Sequence, residues 1–497
     1  MLNMAVRNTK KLVRERVKAE NVRIGRFFTK KGTAALMAAM TKAASKETVT
    51  VLDPGAGTGI LSAALLERLC LGGGVKTVFL TCYETDETML PMLENNLTRL
   101  RKKCRHDYGV ILKYTILTDN FVTAVANAES PALYDYIIMN PPSDLCEKDS
   151  AEVKALGSLA AGATDVAFIF AALASNLLAE GGQMVALLPT TYAKGIYLER
   201  IRLHMLENAR LTRFHLFAVK AKRDGVPDGV RPHMVLRFER TPLPENATVS
   251  ISSSYSDGDG GDITVLPPFP YRRIVNEKNG ALLLIKSEEE ANVLSQVESF
   301  PESFSSYGLK MRTGLTLESR YPEALRDSAV DGAIPLIHPR SIDTGFVHLP
   351  PEKYIVPVIP SLAQKNKNML FIKRVPAKSE KRHLLCGVYL AAQLPRCPMI
   401  STHNKLNYVD YADDREMDAA FLYGLYGVLS SDLYEKYCLI LSTSPQINAT
   451  EYGNLPLPDA KTLREIGQKL LVSRQFSPHA CSSVVEAALR PKRSHFI

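Results

Sequence analysis

Hydrophobic residues in the first half of the chain fall into short β-branched or aliphatic runs that stop abruptly at polar or turn-forming residues. Thr48-Val49-Thr50-Val51-Leu52 ends at Asp53-Pro54, and a glycine-dense stretch, Gly55-Ala56-Gly57-Thr58-Gly59, follows it. A helical pattern then opens with Leu61-Ser62-Ala63-Ala64-Leu65-Leu66. Further runs lie at 77–83, 110–117 and 135–139, and Gly181-Gly182 introduces another that ends at Pro189. Short apolar runs bounded by glycine and proline, alternating with helical stretches, predict βαβ units and a parallel sheet. The second half mixes short strands with helices and shows no internal repeat. Within it, Leu422-Tyr423-Gly424-Leu425-Tyr426-Gly427-Val428-Leu429 reads as a core helix. A Ser/Gly stretch from Ser252 to Gly261 runs into Pro267-Pro268 and Pro270, which points to a domain edge between about 240 and 290. The expected division is 1–285 and 286–497.

Chemistry-bearing residues cluster where these strands end. The fourth run, Asp135-Tyr136-Ile137-Ile138-Met139, leads into Asn140-Pro141-Pro142-Ser143. Proline has no N–H and a fixed φ, so two in succession end a central strand. Exposed carbonyls beside an Asn side chain suit an amino group, whose two N–H donors meet an amide oxygen and a proline carbonyl. Taken alone, Asn-Pro-Pro reads equally well as a strand followed by a loop. The glycine stretch after the first strand lets backbone approach a nucleotide-like ligand. Its Gly55-x-Gly57-x-Gly59 spacing is not the dinucleotide fingerprint, and it lacks the Lys-Ser/Thr of a phosphate loop. The second run ends in Glu84-Thr85-Asp86, where a carboxylate is placed for two ribose hydroxyls or is a solvated turn acid. After the third comes Asp119-Asn120-Phe121, an acceptor for an adenine amine beside an aromatic cover.

Four consecutive strand ends, each with a polar residue suited to one part of a single ligand, resemble the S-adenosylmethionine-dependent class I methyltransferases. More narrowly, the chain is similar to gamma-class N6-adenine DNA methyltransferases of type II restriction–modification systems. Phe27-Phe28-Thr29 resembles the Phe-Thr motif that closes over the cofactor's methionine part in that family. The segments around Asp165, Gly181–Pro189, Ile334–Pro339, Phe371–Arg374, His403–Tyr408 and Ser444–Glu451 continue the likeness, which spans roughly residues 20 to 460. The resemblance implies a doubly wound, Rossmann-like α/β methyltransferase sheet followed by a mixed α/β target-recognition domain. It implies S-adenosylmethionine bound by Phe28, Thr29, Asp53, Gly55, Gly57, Glu84, Asp119, Asn120 and Phe121. Catalysis would fall to Asn140, Pro141, Pro142 and Ser143, on an adenine flipped out of double-stranded DNA. Contacts to DNA would come from Lys373, Arg374, Asn407, Gln446 and Asn448. A restriction endonuclease, where one exists, would be a separate chain.

Two departures concern the target base. Ser143 stands where the family usually has Tyr or Phe, an aromatic that stacks on the flipped adenine for about 1–3 kcal/mol. A second family aromatic is replaced near Gly225-Val226, leaving Phe214 or Phe217 for stacking, Phe217 being the candidate carried forward. The departures leave open a different planar nitrogen as acceptor (cytosine N4, an RNA base, a protein glutamine amide) or a DNA-binding protein without transfer activity.

The 497 residues suffice for more than one domain, and 46% hydrophobic content supports sizeable cores. The net charge of +9 has the sign a polyanion partner wants. Cations concentrate between Arg7 and Lys31, either as a solvated helix face or as phosphate contacts, and again at Lys373–His383. The eight cysteines include no Cys-x-x-Cys pair, and the histidines no HExxH-like cluster. That pattern predicts no metal site, no disulfide framework and a reducing, cytoplasmic setting. No apolar run approaches membrane-spanning length, so no membrane partner is expected.

Overall fold

A computed structural model describes residues 1–20, 28–142, 147, 150–159, 165–217, 232–254, 262–376, 380, 382–413, 415–441 and 446–490, with side chains at 13–20, 158, 196 and 451 left out. It divides into two compact units, Met1–Ser287 and Glu288–Ile497.

In the first unit, α1 (Leu2–Glu20) and α2 (Lys31–Ala39) precede β1 (Thr48–Pro54). There follow α3 (Ile60–Gly72), β2 (Thr77–Tyr83), α4 (Leu90–Tyr108), β3 (Ile111–Leu117), α5 (Phe121–Ala126) and β4 (Tyr134–Met139). Then come α6 (Ala151–Leu156), α7 (Val166–Asn176), β5 (Leu178–Pro189), α8 (Glu199–Asn208), β6 (Arg210–Phe217), β7 (His233–Glu239) and β8 (Thr248–Ser254). Val49, Val51 and Leu52 of β1 are buried, as a strand covered on both faces requires. The α4 stripe of Leu93, Leu97, Leu100 and Cys104 recurs at helical spacing and faces the core, while its arginines and lysines face outward. The residues Ala167–Ser175 of α7 are buried on every side, which explains a helix without a polar face.

The strands line up in the order β3-β2-β1-β4-β5-β7-β6, with β8 beyond β6. From β3 to β5 every pair is parallel, and β7 runs antiparallel to both β5 and β6. This is a doubly wound α/β sheet. Its strand order reverses between β1 and β4, and a crevice opens at the carboxyl ends of strands at such a point. Asp53 closes β1 and Asn140 follows β4, so both sit at that reversal.

The second unit contains a six-stranded and a five-stranded sheet built largely from strands of two to five residues. The larger runs through Leu309–Thr313, Leu406–Tyr411, Met369–Lys373 and Cys386–Tyr389. The core helix read from Leu422–Leu429 is present as Ala419–Ser430, buried from Phe421 to Ser430. It crosses the helix Ala460–Ser473 so closely that a Cβ on Gly424 would lie 2.0 Å from the Leu463 carbonyl oxygen. Among the described residues no helix is long and apolar enough to cross a membrane.

Candidate active site

The glycine loop between β1 and α3 turns on backbone conformations that side chains resist. Gly55, Gly57 and Gly59 have φ of 85°, 56° and 80°, in the left-handed region that glycine enters without steric cost. Gly55 and Ala56 N–H groups donate to the Tyr83 carbonyl at 2.9 and 2.8 Å, tying the loop to the end of β2. Glu84 continues that tie: its Oε2 accepts from the Gly57 N–H at 2.6 Å, and its Oε1 from the Asp86 N–H at 2.8 Å. The strand-end carboxylate and the glycine loop thus form one unit.

A cleft lies against this loop, lined by Phe28, Thr29, Gly55, Ala56, Gly57, Thr58, Ile60, Leu61 and Asn140. At its edge the Asn140 Nδ2 donates to Thr29 Oγ1 at 3.0 Å. That bond fixes the amide plane and turns Oδ1 away from Thr29, where it accepts from none of the described residues. Pro141 is buried and Pro142 exposed. A Cβ on Gly55 would meet the Phe170 ring at 3.8 Å and Pro142 at 4.0 Å, so glycine there leaves room between loop and proline. A Cβ on Gly57 would meet nothing within 4 Å. The residues fit a nucleoside-bearing cofactor: bare backbone from the glycine loop and the side chains of Phe28 and Thr29 line the cleft, and a carboxylate is tied to the loop at the strand end.

Asp53 contributes indirectly. It is fully buried and holds the first turn of α3, its Oδ2 accepting from Ser62 N–H at 3.1 Å and Ser62 Oγ at 2.6 Å. Its Oδ1 is buried without a hydrogen-bond partner. Burial pushes the carboxyl up to about 7; the Ser62 bonds oppose this and the nearby Glu84 charge adds to it.

The remaining expected residues divide. Asp119 is exposed beyond β3. Asn120 caps α5, its side chain accepting from Val122 and Thr123 N–H groups, and donates to Glu152 at 3.1 Å. Phe121 is buried between Tyr83, edge-to-face at a centroid distance of 5.2 Å, and Phe170, tilted at 5.0 Å, and half-buried Tyr83 is the outer ring of the three. Phe214 is a core residue, whereas Phe217 is half-buried at the end of β6, edge-on to His215 at 4.8 Å. Ser143 lies outside the described residues.

In the second unit, Lys373 is paired with Glu380 at 2.6 Å, and the Arg374 Nε is buried without a hydrogen-bond partner. Gln446 is exposed and Asn448 half-buried. Asn407, expected on the DNA-contacting surface, belongs to the interior instead. It is fully buried, accepts from Thr313 Oγ1 at 2.8 Å and donates to the Ile447 carbonyl at 2.7 Å. Both ends of its amide serve the fold.

Sequence reading missed two features. Ala56, Thr58, Ile60 and Leu61 line the cleft, and Thr58 was signalled only by its place between two glycines. Three ligating side chains distant in sequence, Glu318, His338 and His403, also converge to within 4.8 Å. Nδ1 of His338 accepts from the Arg340 N–H at 3.2 Å, and Nδ1 of His403 from the Lys405 N–H at 3.1 Å. Each neutral ring therefore carries its proton on Nε2, whereas a metal ligand donates through one nitrogen and binds through the other. Burial lowers the pKa of both, His403 to about 4, which keeps both rings neutral. The arrangement suits a packed polar cluster.

A doubly wound sheet of this order, with β7 reversed between β5 and β6 and strand-end residues converging on a glycine loop, defines a class I methyltransferase fold. No family model matches the chain. It is 24% identical over 469 residues to the type II methyltransferase M.BsuBI of Bacillus subtilis, covering 90% of this chain and 89% of that protein. It is likewise 24% identical over 465 residues to the type II methyltransferase M.PstI of Providencia stuartii, again covering 90% and 89%. Among solved structures, the type IIL restriction-modification enzyme MmeI in complex with DNA is 12% identical, with a TM-score of 0.44 over 98% of this chain and 72% of that one. The chain is thus similar to type II methyltransferases across both of its units.

Proposed function

We propose that the chain is a site-specific DNA methyltransferase, transferring a methyl group from S-adenosylmethionine to the N6 amino group of adenine in duplex DNA. In this reading it is the modification component of a restriction–modification system. The observation that carries the chemistry is the Asn140–Thr29 hydrogen bond at the edge of the glycine-loop cleft. The adenine amine is a poor nucleophile because its lone pair is delocalised into the ring. Asn140 Oδ1 and the Pro141 carbonyl accept hydrogen bonds from its two N–H groups, which favours a tetrahedral nitrogen and frees the lone pair. Thr29 holds the Asn140 amide in the orientation this requires. Positioning of this kind is worth roughly 7–11 kcal/mol when the reacting atoms are held near attack geometry.

Bound S-adenosylmethionine supplies a methyl group already activated by its positive sulfur. On the protein side, Gly55 and Gly57 present backbone, Glu84 accepts ribose hydroxyls, and Phe28 with Thr29 covers the methionine part. Asp53 supports the site by fixing α3 through Ser62. Asp119 is the candidate for the adenine amine of the cofactor, with Tyr83 rather than buried Phe121 as the ring nearest the surface. The type II methyltransferase relatives, matched along 90% of the chain, support DNA as the acceptor. Target recognition then falls to the second unit, and Phe217 remains the candidate for base stacking.

DNA from cells expressing the chain, digested to nucleosides and weighed by mass spectrometry, tests this. N6-methyladenine present with the wild type and absent with Asn140→Ala supports the reading. N4-methylcytosine in its place would move the acceptor, and no modified base would remove DNA as the substrate.

A further inference from the structure

Resting on the cofactor reading above, we infer that α1 carries positioning residues for the cofactor loop, with Thr9 and Asn8 acting through Thr58. Thr58 is the only residue with a side chain in the Gly57–Gly59 stretch, and it lines the cleft. Glycines on either side at φ of 56° and 80° give this segment the widest conformational choice in the loop. Its shape must therefore be imposed by contacts from outside.

Two chains of hydrogen bonds deliver them, and both start on α1. Thr9 Oγ1 donates to the Ala5 carbonyl at 2.9 Å, which commits its proton and leaves it an acceptor. The Thr58 hydroxyl, 2.6 Å away, is then the donor of the Thr9–Thr58 bond. The second chain runs from Asn8 Nδ2 to Asn96 Oδ1 at 2.6 Å and on from Asn96 Nδ2 to the Thr58 carbonyl at 2.8 Å. Because Asn8 claims the oxygen of Asn96, the amide of Asn96 is turned with its nitrogen toward the loop. The hydroxyl and carbonyl of Thr58 are thus held at once, one by α1 directly and the other by α1 through α4. Thr9, Thr58 and Asn96 are 3%, 1% and 0% exposed, so water does not substitute for a lost partner. The other ties of this loop run to Tyr83 and Glu84 at the end of β2, on the side given to the ribose. The ties from α1 and α4 run between protein groups alone and hold the loop in the unliganded cleft.

None of these residues is among those assigned to the transferring amine, Asn140 and Pro141. Their loss therefore weakens cofactor binding and leaves turnover at saturating cofactor near its starting value. The test is equilibrium binding of S-adenosylmethionine, together with kcat and KM for cofactor and for DNA, on the full chain. Thr9→Val keeps the shape and removes the acceptor, while Thr9→Ser keeps the acceptor. Thr9→Val is expected to raise the cofactor Kd and KM about three- to ten-fold, the factor expected for one buried hydrogen bond. The KM for DNA stays unchanged, and Thr9→Ser restores the wild-type cofactor values. Asn8→Ala, which frees the Asn96 amide to turn, is expected to act in the same direction. Thr9→Val binding cofactor as tightly as wild type would overturn the inference. So would a loss of kcat and DNA affinity in parallel with cofactor affinity, which marks general destabilisation. Wild-type protein that binds no S-adenosylmethionine would instead sink the cofactor reading beneath it.

Discussion

Asn140 and Asn407 are the same residue type with opposite fates. Asn140 has one donor engaged by Thr29 and its oxygen accepting from none of the described residues, whereas Asn407 has both amide ends consumed inside the second unit. Proximity to prolines exposed the first in the sequence. Nothing could separate the second from a surface residue, because Leu406 and Asn407 are both buried and the strand shows no alternation. Asn407→Ala is expected to lower stability by about 2–3 kcal/mol, since it strands the Thr313 hydroxyl and the Ile447 carbonyl. The DNA affinity of the folded fraction should not change; a denaturant titration paired with a DNA-binding isotherm separates the two effects. Asp53 makes a prediction of the other kind. Its folded pKa of about 7 lies above the ordinary carboxylate value of 3.8, so the native state holds this proton more tightly than the unfolded chain. Stability then falls as pH rises from about 4 to about 7 and levels off above that, at up to roughly 1.4 kcal/mol per pH unit. Asp53→Asn should flatten that part of the stability profile, as thermal melts across the range will show. An unchanged slope would mean the buried carboxyl is not the group responsible.

Among elements, legibility followed strand length and punctuation. In the first unit β1, β2, β3 and β4 are six or seven residues long and run into polar or turn-forming residues, so pattern alone located them. In the second unit many strands have only two to five residues, too few for a period to emerge. The helix Ala419–Ser430 was visible as an apolar run, but its partner was not. Its crossing with Ala460–Ser473 depends on Gly424 and Gly467, whose added Cβ atoms would fall 2.0 and 1.8 Å from facing carbonyl oxygens. Carbonyls on a helix backbone cannot rotate aside, so Gly424→Ala must push the helices apart. A loss of about 1–3 kcal/mol is expected, more than offsetting alanine's better helix propensity. A stabilised Gly424→Ala variant, measured by chemical denaturation, would show that the two helices do not meet as described.

The molecule as a whole joins a unit with the class I methyltransferase fold to a second unit, in a chain similar to type II methyltransferases over 90% of its length. The parts of the site legible in the sequence are those set by backbone chemistry: the glycine loop, the strand-end carboxylate and Asn-Pro-Pro. The parts that were not legible depend on which distant side chains meet, as with Thr29 on Asn140 or Thr9 on Thr58. In the proposed mechanism Asn140, oriented by Thr29, activates an amino group of DNA for methyl transfer. Single-turnover transfer of labelled methyl from S-adenosylmethionine to duplex DNA by the purified protein, with cofactor binding measured on the same samples, tests this. Rapid labelling is expected of the wild type. For Asn140→Ala a loss of at least about a hundred-fold in rate is expected, with cofactor affinity retained. Transfer by Asn140→Ala at near the wild-type rate would rule the mechanism out.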